Sequence, residues 1–395
     1  MIQITEKKEC CGCFACENIC PNDSIKLKRD KEGFKYPEIN NNACSKCNLC
    51  INVCPLKSKP EKEEKADETQ KTDYQKSFYA CKSKNENIRE KSSSGGIFSL
   101  VAENVLEENG IVFGAVFDKN FLVEHVSVSD KDDLDKVRRS KYLQSDINKA
   151  FREAENYLKM GKLVLFSGVP CQISGLKSCL KEDYDNLITV DIICHGVSSP
   201  KVFEKYLNFE KSREKSEITD VSFRDKKTGW RKFSFTINFE NGFHFSETLS
   251  ENIYVRGFLK ELYQRPACHS CQFKIDKSKS DISLADYWGV QMFHPNLDDN
   301  RGVSFVSVNS EKGKKIFENI YGELDLEETK LENGVKRNRC MIKSLKPNKN
   351  RKQFFKYLDY YPIDLLIKLS LRKKKFSKKD HLFILKEKLK RTLSL

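Results

Sequence analysis

The sequence has no apolar run that approaches the roughly 18 residues of a membrane-spanning helix. Its first ten residues also lack the apolar stretch of a secretory signal peptide. Sixteen cysteines in a chain without such a signal favour a reducing compartment, where thiolates bind metal rather than form disulfides. We therefore expect a cytoplasmic protein whose cysteines include metal ligands.

Two further features exclude classes of function: a missing nucleotide-binding motif and a body with little net charge. No G-x-G-x-x-G sequence follows a predicted strand, so a standard dinucleotide-binding Rossmann domain is not indicated. The net charge of +14 is unevenly spread, because residues 351–395 contribute +10 and the rest of the chain only +4. Since a basic tail is not a basic body, nucleic-acid binding by the whole protein is not expected.

Cysteines are abundant, and eight of them repeat one spacing. Two runs of the form C-x2-C-x2-C-x3-C-P stand 34 residues apart. This is the spacing with which bacterial ferredoxins hold a pair of 4Fe-4S clusters, and the fourth cysteine of each run there serves the other cluster. We therefore assign cluster one to Cys10, Cys13, Cys16 and Cys54, and cluster two to Cys44, Cys47, Cys50 and Cys20.

Structural zinc and disulfides are the alternatives for these runs. Zinc sites usually show two C-x2-C pairs a dozen or more residues apart, without the third and fourth cysteine of each run. The spacing therefore favours clusters, and the protein is predicted to transfer electrons.

The chain divides into four predicted parts. Residues 1–56 form a small ferredoxin-like domain, in which residues 25–27 and 34–36 are expected to pair as a hairpin around Gly33. Residues 57–76 are almost all charged or polar and are predicted to be a linker. Residues 77–345 alternate between strand and helix patterns, which indicates a larger mixed α/β domain. Residues 346–395 form a basic helical tail.

A second set of cysteines lies in the larger domain. Cys171 and Cys194 each follow a predicted strand, at the edge where open α/β sheets usually place ligands, and Cys268 and Cys271 form a C-x2-C pair. In a chain that already carries two clusters, we expect these four to hold a third 4Fe-4S cluster. Buried structural thiols and a zinc site remain alternatives.

The other thiols and two histidines carry weaker signals. Four cysteines fit no ligand pattern and are interpreted as ordinary thiols: Cys11, Cys81, Cys179 and Cys340. His195 and His269 adjoin proposed ligands and could tune a cluster or deliver a proton. A histidine in such a place is more often held by local hydrogen bonds.

A phosphate-binding signal precedes one predicted helix. Glycines allow close backbone approach, while serine hydroxyls and helix N-terminal amides donate to anions; these residues are Ser92, Ser93, Ser94, Gly95 and Gly96. The same residues also make an ordinary N-cap. The segment from Arg138 to Tyr142 could supply cations to a pyrophosphate or be a solvated face.

Ordered motifs give the chain a family resemblance. They are Ser93-Ser94-Gly95-Gly96, Ser140-Lys141-Tyr142, Gly168-Val169-Pro170-Cys171-Gln172, Cys194-His195-Gly196-Val197-Ser198-Ser199-Pro200, Phe223-Arg224-Asp225-Lys226, Arg265-Pro266-x-Cys268-x2-Cys271 and Asp281-Ile282-Ser283-x3-Tyr287-Trp288-Gly289. Together they resemble the coenzyme F-420 hydrogenase/dehydrogenase beta-subunit family, over roughly residues 1–295 and with a fused ferredoxin unit.

The resemblance implies a cofactor and a reaction. It implies that the larger domain binds FAD, with Ser93, Ser94, Gly95, Gly96, Ser140 and Lys141 as candidate contacts, beside a cluster on the second cysteine set. Family members pass electrons between a two-electron carrier and one-electron clusters. We therefore expect an oxidoreductase that exchanges electrons with coenzyme F-420 or ferredoxin, although no residue is assigned as a catalytic acid or base.

Other functions compete with this expectation. One alternative is a non-catalytic electron-transfer subunit of a larger redox complex, and another is a zinc-bearing nucleic-acid binder. The expected partners are a redox protein or a small electron carrier. Leu382, Leu385, Leu389 and Leu393 lie on one face of the last predicted helix, so weak contact of the basic tail with a membrane surface or a partner is a further hypothesis, against simple packing on the body.

Overall fold

The N-terminal unit is a two-stranded hairpin beside two short helical turns. In the computed structural model, which describes residues 1–57, 74–372 and 377–393, β1 (Ile25–Arg29) pairs antiparallel with β2 (Lys35–Ile39), as predicted. The turn contains Gly33 at φ 89°, a left-handed conformation that favours glycine. The turns α1 (Ala15–Asn18) and α2 (Leu49–Asn52) lie within the two cysteine runs.

The larger domain contains an eight-stranded mixed sheet, so the predicted mixed α/β class is confirmed. Its order is β13-β3-β12-β11-β7-β6-β4-β5. The strands are β3 (Ser77–Ser83), β4 (Ile111–Phe117), β5 (Val123–Val128), β6 (Val164–Gly168), β7 (Leu187–Ile192), β11 (Ile282–Asp286), β12 (Ser304–Val308) and β13 (Leu324–Glu328). The central strands β4, β6, β7 and β11 run parallel. Helices cover both faces of these strands, which explains their nearly continuous apolar residues.

A smaller antiparallel sheet packs beside the first. It has the order β10-β9-β8, formed by β8 (Ile218–Asp225), β9 (Ser234–Phe239) and β10 (His244–Thr248). β9 and β10 form a hairpin that turns at Asn241 and Gly242, with Gly242 at φ 84°. Its inner face contributes to an aromatic core that includes the fully buried Phe235 and Tyr254.

Helices surround both sheets. They are α3 (Glu86–Glu90), α4 (Ile97–Glu107), α5 (Leu134–Val137), α6 (Ala150–Lys159), α7 (Pro170–Leu180), α8 (Pro200–Glu214), α9 (Ile253–Leu259), α10 (Glu311–Glu318), α11 (Leu331–Val335), α12 (Arg351–Tyr357), α13 (Ile363–Ser370) and α14 (Lys378–Leu393). Ser199 is the N-cap of α8, because its side chain accepts a hydrogen bond from the Val202 amide. Within the described residues, no helix has the length and apolar character needed to cross a bilayer.

The predicted linker lies mostly outside the described residues, whereas most of the predicted basic tail is described. Residues 58–73 of the predicted linker lie outside the described residues. The first part of the tail packs into the body, because Phe354 in α12 and Leu366 and Ile367 in α13 are fully buried in the aromatic core. In α14 it is Ile384 that faces the core, while Leu382, Leu385 and Leu389 face solvent.

Candidate functional site

The two ferredoxin runs fold as near-copies of one loop. Gly12 and Phe14 in the first run have positive φ, and so do Lys46 and Asn48, which lie 34 positions later in the second. Non-glycine residues seldom adopt this conformation. Its repetition at equivalent positions shows that each run winds through the same irregular loop, which turns successive cysteines toward one point.

The structure brings together the cysteines assigned to cluster one. Burial raises the pKa of the Cys16 thiol, and the neighbouring thiols Cys13, Cys10 and Cys54 raise it further. Burial likewise raises the pKa of Cys54 to about 11, with Cys13 and Cys10 adding to the effect. The fourth cysteine of the second run therefore lies beside the first three of the first run, as the crossed assignment requires.

The second group is more open to solvent. Cys47 is exposed and Cys44 is partly exposed, whereas Cys50 and Cys20 are buried. A hydrogen bond from the Leu49 amide lowers the pKa of Cys47, and the nearby Cys20 thiol opposes this shift. Backbone amides also point at sulfur here: Ser24 N lies 3.3 Å from Cys20 Sγ. Such amide contacts stabilise the thiolate that binds iron.

The four cysteines of the second set line one cavity of about 330 Å³. Cys171 lies in the first turn of α7, Cys194 follows β7, and Cys268 and Cys271 come from the loop before β11. The pKa of Cys194 is raised by burial and by the thiols of Cys268 and Cys271. Residues separated by up to 100 positions thus present four sulfurs to the same space, a donor set suited to an iron–sulfur cluster.

Cys11, interpreted from sequence as an ordinary thiol, also lines this cavity. Its thiol contacts those of Cys13 and Cys171: the contact with Cys13 lowers its pKa, and the contact with Cys171 together with burial raises it well above the usual value. Because Cys11 follows Cys10 directly, the ferredoxin unit adjoins the second cysteine set. The only feature of the sequence that could have indicated this role is the position of Cys11 inside the first ferredoxin run.

No three cysteine, histidine or carboxylate side chains of the described ranges converge tightly enough to hold a single metal ion. A lone zinc ion draws its thiolates to about 2.3 Å from one centre. A cubane is a larger body that spaces its cysteines more widely. Four thiols at one cavity are ligands that either a cluster or a zinc ion can use.

A larger cavity of about 600 Å³ opens beside the small one. Of the predicted cofactor contacts, five line it: Ser93, Ser94, Gly96, Ser140 and Lys141. Gly95 does not, because it packs on β3 and its amide donates to Ser304 Oγ at 3.0 Å. Gly96, at φ 93°, is the N-cap of α4, so the first amides of an 11-residue helix face the cavity region.

The three cationic residues before Tyr142 have different roles. Arg138 is buried and forms ion pairs with Glu103 and Asp135, so it is structural. Arg139 is exposed at the cavity rim. The Lys141 ammonium donates to the Arg138 carbonyl at 2.7 Å, and burial, with a contribution from Arg139, lowers its pKa to about 7.

The opposite wall of the large cavity is aromatic and carries a buried ion pair. Arg224 pairs with Asp286 and lies over the rings of Phe233 and Trp288, at 4.3 and 5.3 Å. Trp230 stacks on Trp288 at 4.7 Å and donates to Asp286. Arg224 and Trp288 are in the motifs that carried the family resemblance but were given no role from sequence, whereas Trp230 and Phe233 lie outside those motifs.

The two cavities share one wall. The segment from Cys194 to Val197 lines both of them, and so does Val169. His195 Nε2 lies 3.3 Å from Glu261 Oε1 but is not aligned for a hydrogen bond. His269 lines neither cavity, since its Nδ1 is held by the Leu345 carbonyl at 3.0 Å, which matches the local role that such histidines usually have.

Comparisons with known proteins agree with this organisation. The family model for the N-terminal part of the coenzyme F420 hydrogenase/dehydrogenase beta subunit matches residues 78–152 of this chain. The model for the C-terminal part of that subunit matches residues 161–333. A 4Fe-4S dicluster domain matches residues 9–58. The ferredoxin unit is therefore a dicluster domain, as predicted.

Other comparisons add less. No curated protein matches the chain. Among solved structures, a chain from "Xenon derivatization of the F420-reducing [NiFe] hydrogenase complex from Methanosarcina barkeri" is similar, at 18% identity and a TM-score of 0.46. That match covers 67% of this chain and 89% of the other.

Proposed function

The chain belongs to the coenzyme F420 hydrogenase/dehydrogenase beta-subunit family, and on that premise we propose that it is an iron–sulfur flavoprotein oxidoreductase. It would pass electrons between a reduced carrier, either the deazaflavin coenzyme F-420 or ferredoxin, and an acceptor. The family and the dicluster domain make it an iron–sulfur protein of an oxidoreductase family. The FAD, the third cluster and the carrier are our proposals.

One observation carries the proposal: the large cavity and the four-cysteine cavity share the wall from Cys194 to Val197. A flavin accepts two electrons together and releases them singly. The neighbouring site supplies a one-electron group at the shared wall, and Cys11 connects it to the ferredoxin unit. The arrangement supports a series of redox sites that begins in the large cavity and ends at the exposed Cys47.

The residues of the large cavity suit FAD. Its volume of about 600 Å³ is in the range of ligand sites. The N-terminus of α4, the hydroxyls of Ser93 and Ser140 and the ammonium of Lys141 would bind the pyrophosphate. The apolar side chains around Trp288 would exclude water from the isoalloxazine ring.

Metal and flavin content test the proposal. Anaerobically purified protein should contain about twelve irons and one FAD per chain, with no zinc. Cys194→Ala or Cys271→Ala should remove about four irons and leave about eight. Cys179→Ala is the matched control, because this buried thiol donates to the Ala15 carbonyl and lines neither cavity; it should keep all twelve.

Other results would redirect the function. About eight irons without flavin would favour the alternative, a non-catalytic electron-transfer subunit of a larger redox complex. Eight irons with one zinc would assign the second cysteine set to zinc. Turnover between a diffusible donor and an acceptor dye by the isolated chain would count against the subunit alternative.

We also propose that α14 makes weak contact with an anionic membrane surface. Its exposed face carries Leu382, Leu385 and Leu389, at 60, 46 and 63% exposure, among lysines. Deletion of residues 377–393 should reduce co-sedimentation with anionic liposomes. Equal sedimentation of both forms would remove this proposal and leave the oxidoreductase proposal unaffected.

A further inference from the structure

Arg265 is a fully buried arginine beside a proposed cluster ligand. Its exposed fraction is 0%, and it stands three residues before Cys268, at the start of the loop that carries Cys268 and Cys271. Its guanidinium reaches across to the ferredoxin unit, 255 positions away in sequence, and lies 3.2 Å from the sulfur of Cys10. That sulfur is a thiol here and stands in for the thiolate that binds iron.

The contacts of Arg265 fix the direction of its guanidinium. Nε donates to the Cys10 carbonyl at 2.7 Å, Nη2 donates to the Lys35 carbonyl at 2.9 Å, and Nη1 donates to Gln144 Oε1 at 2.8 Å. The guanidinium also lies over the ring of Tyr36, 4.4 Å from its centroid. A guanidinium held by these three acceptors has one orientation, and that orientation points an N–H at sulfur.

The charge of Arg265 has no carboxylate partner among the described residues. Its hydrogen-bond acceptors are two carbonyls, an amide oxygen and a sulfur. A buried charge without a counter-charge is strongly destabilising. An anionic cluster with thiolate ligands at Cys10 would supply that counter-charge, which accounts for a cation that is fully buried at this interface.

We propose that Arg265 is a positioning residue that raises the reduction potential of the cluster bound by Cys10. A reduced cluster carries one more negative charge than the oxidised cluster. A fixed buried cation and an N–H···S hydrogen bond therefore stabilise the reduced state, and both are established influences on cluster potential. Because Cys11 lies on the small cavity, the effect would favour electron transfer from that cavity into the ferredoxin unit.

A second arginine provides a matched control. Arg152 in α6 also joins the body to the ferredoxin unit, through the carbonyls of Asn18, Glu17 and Cys20. It touches no sulfur, and its side chain is 32% exposed. Arg152→Gln therefore weakens the same interface without removing a buried charge from a ligand.

The inference rests on the proposed cluster ligands but not on flavin or the third cluster. The test is an EPR-monitored redox titration of the full chain at matched iron content. Arg265→Gln should lower the potential of one cluster so that its reduced-to-oxidised ratio at a fixed potential falls at least tenfold, which is 59 mV for one electron. Arg265→Lys keeps the charge and should lower it less, and Arg152→Gln should leave the potentials unchanged.

A variant that leaves Arg265 in place guards against loss of folding. Gln144→Glu places a negative charge beside the guanidinium and gives up the amide bond to the Gly12 carbonyl; it should lower the same potential with Arg265 still in place. Unchanged potentials in both Arg265→Gln and Gln144→Glu would overturn the proposal, as would an equal shift in Arg152→Gln. Protein that shows these shifts but binds no flavin would refute the proposed function and leave this inference intact.

Discussion

Gly12→Ala should destabilise the packing of the ferredoxin unit on the body by more than the cost of placing an alanine at a positive φ. Gly12 has φ 70°, where an L-residue costs about 1–2 kcal/mol. An added Cβ would also lie 2.1 Å from Gln144 Nε2 and 2.8 Å from Arg265 Nη1. Both atoms belong to the body, so the methyl group would press directly on the interface.

The size of the effect follows from what must move. Both atoms end long side chains, but Gln144 and Arg265 are buried and hydrogen-bonded to each other. Moving Gln144 breaks that bond and its bond to the Gly12 carbonyl at 3.1 Å. Each lost hydrogen bond costs about 1 kcal/mol, and more where a buried group stays unpaired. We expect about 2–5 kcal/mol beyond the conformational cost.

Gly242→Ala is the matched control. Gly242 has φ 84°, and an added Cβ there would meet nothing within 4 Å. Both variants therefore place alanine in a strained backbone conformation, and only Gly12→Ala also creates a close contact with Gln144 and Arg265. Thermal unfolding at one scan rate and matched iron content should show a clearly larger drop in midpoint for Gly12→Ala. Equal drops in the two variants would refute the close packing of the ferredoxin unit on Gln144 and Arg265.

Three further predictions concern buried ionisable groups. The pKa of Lys141 is about 7 in the folded protein against 10.5 ordinarily, because of burial, so FAD should bind the apoprotein less tightly as pH rises above 7. Lys141→Met should bind FAD weakly at all pH values, as equilibrium dialysis can measure. Burial raises the pKa of Glu210 from 4.5 to about 7, so the folded state holds a proton that the unfolded state has lost, and stability should fall between pH 4.5 and 7. Glu210→Gln should abolish that fall in urea unfolding. Arg224→Met leaves Asp286 without its ion pair and should cost about 3–5 kcal/mol, and a double variant with Asp286→Asn should recover most of it; no recovery would contradict the pairing.

The features that are predicted correctly from the sequence depend on the spacing of residues that lie close together in the chain. The ferredoxin runs are recognisable because three cysteines within seven residues must approach one another, and the position of Pro21 and Pro55 ends each turn. The hairpin of β1 and β2 around Gly33 is equally local. The approach of Cys171 and Cys194 was foreseeable because residues at the carboxyl ends of neighbouring parallel strands meet at one edge of a sheet.

The features that sequence misses depend on contacts between distant segments. Two of the four acceptors of Arg265 are backbone carbonyls, which leave no side-chain pattern in the partner segment. Cys11 looks like an extra thiol until the ferredoxin unit is placed against α7. The leucines of α14 form a regular stripe, yet Ile384 is the residue that packs on the body, because the periodicity of a helix identifies its apolar face without showing what covers it.

The placement of the ferredoxin unit limits the order in which its clusters can act. Arg265 and Arg152 hold the first run and its following turn against the body through backbone carbonyls, and Cys11, the neighbour of Cys10 in the chain, lines the small cavity. Cys47, on the second run, is exposed. On the proposed function, a cluster at Cys10 would exchange electrons with the body, and a cluster at Cys47 would meet an external partner. Substitutions at Arg265 should consequently alter internal transfer, whereas exposed side chains around Cys47 should alter the rate of exchange with a partner protein.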